Sequence, residues 1–233
     1  MPKGKYNRGK RGVYRKKNKL RVLQDKMPKS LIAYGFPRCQ LVRMVYFAQV
    51  RLDPDGTPAT HVFSANSVYD PDYTQTGHQP MYHDQYAAVY NKYKVVSSKI
   101  QITGANDYSD QANVMGNLIT CVVNNTTTAY QSITEACEAK GARYSQCHER
   151  RPMKRLTSTF SAKKFFCLTN IKDADDIDGI LGDTLVGSSP AQRAYFVVQA
   201  FPLYQAQNTY PACLNIRISY NVLVYDLKKQ AGS

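Results

Sequence analysis

The sequence has no tryptophan and only four histidines, and no apolar run approaches the roughly 20 residues needed to cross a bilayer. The N-terminus also lacks the apolar stretch and small-residue cleavage site of a secretory signal. The expected product is therefore a soluble protein made in the cytosol, with no insertion into a membrane. Six cysteines (Cys39, Cys121, Cys137, Cys147, Cys167 and Cys213) are scattered with no C-x-x-C pair, and in that compartment they read as buried free thiols. No phosphate loop of the G-x-x-x-x-G-K-[ST] type is present, and no glycine-rich dinucleotide fingerprint follows a strand. Local spacing assembles no Ser-His-Asp, Cys-His or carboxylate pair either. No catalytic residue is assigned, so the chain reads as no enzyme and as needing no cofactor.

Acidic residues are scarce: 17 Asp and Glu stand against 31 Lys and Arg, a formal charge of +14. The surplus is concentrated at one end. From Met1 to Arg38 thirteen Lys and Arg meet a single acid, Asp25, for a net of +12, which leaves +2 for Cys39 to Ser233. Residues 1–38 hold little to build a core with, and their mutual repulsion favours an extended, disordered arm. Lys3, Lys5, Arg8, Lys10, Arg11, Arg15, Lys16, Lys17, Lys19 and Arg21 suit phosphate neutralisation, while Tyr6 and Tyr14 suit stacking on bases. Gly4, Gly9 and Gly12 let such an arm follow an irregular strand. A solubilising tail is the plainer reading, and Arg15, Lys16 and Lys17 also fit a nuclear-import patch. Twelve net charges exceed what import needs.

Beyond Arg38 the apolar period becomes two. In CQLVRMVYFAQVRL, Val42, Met44, Tyr46, Ala48, Val50 and Leu52 share one face, with Arg43, Gln49 and Arg51 on the other. CLNIRISYNVLVYDL alternates likewise, with Leu214, Ile216, Ile218, Tyr220, Val222 and Val224 against Asn215, Arg217, Ser219 and Asn221. Further strands are predicted at Thr60–Ser64, Val95–Thr103, Asn117–Asn124, Leu156–Ala162, Phe165–Thr169 and Ala194–Leu203. About eight strands joined by turn-rich pieces such as DPDG and NNTTT, with no strand–helix alternation, predict an all-β, antiparallel eight-stranded jelly-roll sandwich over residues 39–233. Two short helices fit its connections. Ser132 and Glu135 form a capping box, with Gly141 as the stop, giving a helix over Ser132–Lys140. Tyr82, Tyr86, Val89, Tyr90 and Tyr93 recur at helical spacing, predicting a helix that starts after Pro80 and docks its tyrosine stripe on the sandwich.

That second helix lies in GHQPMYHDQYAAVYNKYKVVSSKI, Gly77–Ile100, whose paired histidines invite a metal reading. Their spacing is H-x-x-x-x-H across a proline, whereas a zincin site needs both histidines one turn apart on one face. Adding Cys147 and His148 would require a tertiary contact that spacing does not supply. The structural reading covers more residues: Gly77 for a tight bend, Pro80 to start the helix, Asp84 at its positive end, and His83 and Asp84 turned away from the tyrosines. No metal is assigned.

The same stretch resembles the segment G-H-Q-P-x-x-x-D-Q-x-x-x-x-Y-x-x-Y-x-V-x-x-S-K-I of capsid proteins from small viruses with circular single-stranded DNA genomes, the circovirus-like group. Gly77, His78, Gln79, Pro80, Asp84, Gln85, Tyr90, Tyr93, Val95, Ser98, Lys99 and Ile100 match, preceded by Asp70, Pro71, Asp72 and Thr76. Close similarity covers about 30 residues, and related motifs occur in other capsids. The resemblance implies a structural capsid protein whose jelly roll, residues 39–233, self-assembles into an icosahedral shell of sixty subunits. It implies too that the arm, residues 1–38, holds the packaged single-stranded DNA genome inside. The expected location is the virion, and during assembly the host nucleus. An RNA-virus jelly-roll capsid, a cellular nucleic-acid-binding protein of ribosomal or chromatin type, and a glycan-binding jelly roll are the alternatives.

Two further clusters stay open. His148–Arg155, with Arg150, Arg151, Lys154 and Arg155, reads as a second nucleic-acid contact, as an attachment patch for a cell-surface glycan receptor, or as a solvated loop, and Lys163 and Lys164 share that ambiguity. KDADDIDGILGD, Lys172–Asp183, fails the EF-hand pattern, because placing Gly179 at position 6 puts Ala174 at 1 and Leu185 at 12. An exposed outer loop is the simpler reading of it, and a carboxylate site for calcium between subunits the other.

Overall fold

Alternation from end to end builds the first sheet. In β1 (Cys39–Leu52) Val42, Met44, Tyr46, Val50 and Leu52 are buried and Ala48 half-buried, while Arg43, Phe47, Gln49 and Arg51 are exposed. In β9 (Ala212–Leu227) every even position from Ala212 to Val224 is buried. The two strands pair antiparallel from Cys39 opposite Tyr225 to Leu52 opposite Ala212, so both present the same parity inward. This is the register that the sequence pattern requires.

The computed structural model describes residues 35–74, 77–106, 116–147, 153–167, 184–203 and 211–229. One unit spans Phe36–Ser233. Its first sheet continues past β9 with β3 (Tyr90–Asn106) and β6 (Leu156–Ser161), and the two-residue β7 (Thr184–Leu185) joins the start of β3. The second sheet has the order β2 (Ala59–Ser64), β8 (Tyr195–Pro202), β4 (Asn117–Asn124), β5 (Arg143–Cys147). Leaving β7 aside, the eight remaining strands pair first with last and inward from there: β1 with β9, β2 with β8, β3 with β6, β4 with β5. A long hairpin paired in this way and rolled, so that β9 also meets β3 and β8 meets β4, is a jelly roll.

The core lies between the sheets, with Ile100, Ile102, Ile216, Ile218 and Phe160 from one meeting Phe63, Ile119, Phe196 and Ala200 from the other. All eight positions of β8 are buried; on the side away from the core Phe201 packs with Leu118 and with Ala136 of α2 (Ile133–Glu138), and Tyr195 and Val197 pack with Val62. Polar pins join the layers: Tyr220 Oη donates to the Ser64 carbonyl at 2.7 Å and Ser98 Oγ to the Ala65 carbonyl at 2.5 Å. Gly104 allows β3 to press on β9, since a Cβ there would strike the Cys213 carbonyl and come within 2.7 Å of Leu214 Cδ2.

Several expectations need correction. The helix after Pro80 is α1 (His83–Val89), seven residues long, and Tyr90 turns extended at φ −114° and ψ 147°. Tyr90 and Tyr93 are strand residues, each 1% exposed, because pairing with the end of β9 (Tyr90 opposite Leu227, Tyr93 opposite Val224) overrides their helical spacing. Tyr82 lies outside the helix at φ 72°, largely exposed, whereas Tyr86 and Val89 of the expected stripe are half-buried against the core, and His83, expected to face away, is the buried residue of α1. Helix α2 keeps its cap, with Ser132 accepting from the Glu135 amide at 3.2 Å, but the return bond from Glu135 goes to the Gln131 amide and the helix stops at Glu138. Phe165 does not open a strand; it ends α3 (Ala162–Phe165), packed 5.4 Å from Phe160 by ring centroids. Strand β5 is additional to the strands that the sequence predicts. All six cysteines are free as expected, yet only Cys121 and Cys147 are buried, since Cys39 and Cys213 take outward positions on β1 and β9 and Cys167 follows α3.

Candidate nucleic-acid interface

The outward face of the first sheet is assembled from residues that alternation turns away from the core. The register places Arg43, Asn221, Ser97 and Ser161 in one row across β1, β9, β3 and β6. Val45, Ser219, Lys99 and Thr159 form the next row, and Phe47, Arg217, Gln101 and Thr157 the third. Cross-strand bonds stiffen the rows: Arg43 Nε donates to Asn221 Oδ1 at 3.4 Å, and Asn221 Nδ2 to Ser97 Oγ at 2.9 Å. Lys99 and Arg217 are diagonal neighbours, which in a sheet lie about 7–8 Å apart. At that spacing their repulsion in water is about 0.5 kcal/mol, a small cost that a bound anion would reverse.

This face forms the floor of a groove of about 1310 Å³. Lys140 and Arg143, at the turn into β5, and Lys164 of α3 line its sides together with Tyr130 and Phe165. None of the described residues lining it is Asp or Glu. Glu135 and Glu138 line a separate hollow of about 710 Å³ that shares Tyr130 and Lys140. Tyr130 is held at its backbone, where its amide donates to Gln199 Oε1 at 3.1 Å and its carbonyl accepts from Gln199 Nε2 at 3.0 Å. Phe165 is wedged between Phe160 and Phe166. A concave, cationic, hydroxyl-rich surface with two aromatic rings and no carboxylate among its described residues is suited to an anionic polymer carrying flat groups.

Of the residues singled out from sequence, Lys3, Lys5, Tyr6, Arg8, Lys10, Arg11, Tyr14, Arg15, Lys16, Lys17, Lys19 and Arg21 lie outside the described residues, as do Arg150 and Arg151. The acidic run Lys172–Asp183 lies outside them too. Lys154 and Arg155 are exposed just before β6, and the preceding Met153 is buried, its amide donating to the Gly104 carbonyl at 3.1 Å. Lys154 and Arg155 do not line the groove, whereas Lys164 does. The sequence alone does not mark Arg43, Lys99 and Arg217 as a nucleic-acid site, because each is an ordinary outward residue of its own strand and only the register brings them together.

Apart from Ser98 and Lys99, which line the groove, the Gly77–Ile100 motif builds a different place. Gly77 is needed for close approach rather than for a bend, since a Cβ would sit 2.6 Å from Tyr46 Oη and 2.8 Å from Asp72 Cβ. His78 lies over Tyr46 with ring centroids 4.8 Å apart, Gln79 Nε2 donates to the Tyr69 carbonyl at 3.4 Å, and the buried Pro80 accepts from the His83 amide at 3.1 Å. Asp84 and Gln85 are exposed on the first turn of α1. Tyr90 Oη donates to the Pro37 carbonyl at 2.8 Å and Tyr93 Oη to the Ser188 carbonyl at 2.9 Å. Beneath the loop, His61 Nε2 and Asp72 Oδ1 lie 2.8 Å apart, both buried. The nearby carboxylates and, above all, burial push the Tyr46 hydroxyl up to about 12. No group of three or more metal-ligating side chains occurs among the described residues.

No protein-family model matches the chain, and no curated protein matches it. Solved structures do share its outline. The BFDV capsid protein solved as a 60-mer is 13% identical, covering 86% of this chain and all of its own, with a TM-score of 0.47. Mud crab tombus-like virus is 9% identical over 87% of this chain and 98% of that one, at 0.44. Desmodium yellow mottle tymovirus is 14% identical over 86% and 94%, at 0.42. With these scores below one half, the jelly-roll assignment rests on the strand order of the chain itself.

Proposed function

We infer that the chain is the structural capsid protein of a small virus with a circular single-stranded DNA genome. In this reading residues 39–233 form a jelly-roll subunit, sixty of which close an icosahedral shell, and residues 1–38 hold the packaged strand through their cations and through Tyr6 and Tyr14. The observation that carries it is the division of charge: +12 of the +14 stands in the first 38 residues, ahead of a nearly neutral jelly roll. Near-neutral domains pack against one another without mutual repulsion, and a polycation confined to one end neutralises phosphates without regard to sequence. The Gly77–Ile100 resemblance favours the circular-DNA group over other capsids.

The test is size-exclusion chromatography and electron microscopy of the full-length protein, with absorbance at 260 nm and nuclease treatment of any large species. Uniform particles roughly 20 nm across that contain DNA are the expected result. Particles that package RNA alone would move the reading to an RNA-virus capsid. A monomer that binds nucleic acid in every buffer would overturn assembly and leave a cellular binding protein.

A further inference from the structure

The basic N-terminal segment accounts for most of the net charge, but it does not account for the groove on the first sheet. There, cations from four separate strands and connections converge on one concavity, and none of the described residues lining it carries a negative charge. We propose that this groove is a second, independent nucleic-acid site, in which the folded domain holds a single strand without regard to its sequence. Arg43, Lys99 and Arg217 on the floor and Lys164 at the side take phosphates, while Tyr130 and Phe165 take bases.

Three observations select this ligand. The volume of about 1310 Å³ exceeds the roughly 300–1,000 Å³ of pockets built for one small molecule and leaves room for a segment of a polymer. The floor is a flat grid of donors (Arg43, Lys99, Gln101, Thr157, Thr159 and Arg217), which can meet successive phosphates but gives no edge-specific pattern for reading bases. The rings stand among the cations, Tyr130 with its backbone anchored by two bonds to Gln199 and Phe165 with its ring packed on its aromatic neighbours. Stacking on such rings requires unpaired bases, which favours a single strand over a duplex.

This deepens the packaging reading and rests on it for the identity of the polymer. The test uses the full-length protein and a labelled thymidine oligonucleotide, with affinity measured across a series of salt concentrations. Each phosphate contact to a single strand contributes roughly 0.7 to the slope of log affinity against log salt. Lys99→Gln with Arg217→Gln is therefore expected to lower the slope by about 1.4. Lys228→Gln with Lys229→Gln removes the same charge from exposed positions outside the groove and is expected to leave the slope unchanged. Lys140→Gln with Lys164→Gln serves as the second groove variant should the first fail to fold. Photo-crosslinking to a bromodeoxyuridine oligonucleotide is expected to label the peptides bearing Tyr130 or Phe165. Equal slope changes in the groove and control variants, with no crosslink in the groove, would overturn the site. Groove variants that lose a heparin fragment yet keep the oligonucleotide would overturn it in favour of a sulfated-glycan surface. Absence of particles with the groove result intact would remove the capsid reading and leave the site standing.

Discussion

At the scale of single residues, tyrosine performs the task that tryptophan, absent here, often performs: it fills the core while carrying a polar tip that must find a partner. Tyr46, Tyr90, Tyr93 and Tyr220 are each at most 1% exposed. Tyr220 illustrates the consequence, since its ring packs among the inward residues of β9 while its hydroxyl crosses the core to the Ser64 carbonyl at the end of β2. Alternation along the sequence places the ring but says nothing of where the hydroxyl goes, because the acceptor is 156 positions away. Tyr220→Phe keeps the ring and removes the donor, leaving a buried carbonyl short of one bond, so stability is expected to fall by about 1–2 kcal/mol. The urea midpoint should drop with the slope unchanged, while Tyr144→Phe, at a residue 63% exposed, should leave both as they are. An unaltered midpoint in Tyr220→Phe would show that the cross-sheet bond contributes nothing.

Among elements, α2 was legible because its signals are local. Ser132 and Glu135 sit three apart, and the cap bond at 3.2 Å joins these two residues. The stretch Tyr82–Tyr93 divides for the opposite reason: Tyr86 and Val89 pack on the core from α1, but from Tyr90 on the i, i+4 stripe loses to a distant strand, since β9 offers it a ladder of backbone partners. Strand β5, only five residues long, carries one buried side chain, Cys147, and so leaves no period to detect. Tertiary pairing therefore decides the elements whose own pattern is ambiguous or short, while capped helices and long one-sided strands declare themselves. Ser132→Ala is expected to cost about 1 kcal/mol and Ser132→Asp close to nothing, because an aspartate also accepts from the third helical amide. Amide exchange at Glu135 reads this directly: its protection should fall in the alanine variant and persist in the aspartate variant. Equal protection in both would mean that packing of Ala136 and Ile133 against β4 and β8, rather than the cap, holds the helix.

At the scale of the whole molecule, the uneven charge was plain in the sequence, whereas the groove needed the register of three strands to bring Arg43, Lys99 and Arg217 onto one floor. The core has a collective property of its own, because burial raises many neutral acids together. The Cys121 thiol is pushed from 9.0 up to about 12 and the Cys147 thiol to about 11, chiefly by loss of solvation. Burial likewise lifts the Tyr46 and Tyr93 hydroxyls from 10.0 to about 12, and Tyr220 well above its ordinary value. In each case the folded state holds the proton more tightly than the unfolded chain does. Below pH 9 both states are protonated and the stability these groups contribute is fully present. Above it the unfolded thiols ionise first and the unfolded tyrosines follow above 10, so stability declines until the folded groups themselves ionise near 11 to 12. Each group in this window contributes a slope of up to about 1.4 kcal/mol per pH unit. At fixed protein concentration, the urea midpoint is expected to hold level as pH 9 is approached and to drop steeply beyond it. Tyrosinate absorbance should rise in two stages, exposed rings near their ordinary value and buried rings together with unfolding. A single stage near 10 with the fold intact would mean that solvent reaches the tyrosines between the sheets, and that the dry interior inferred for this sandwich is wrong.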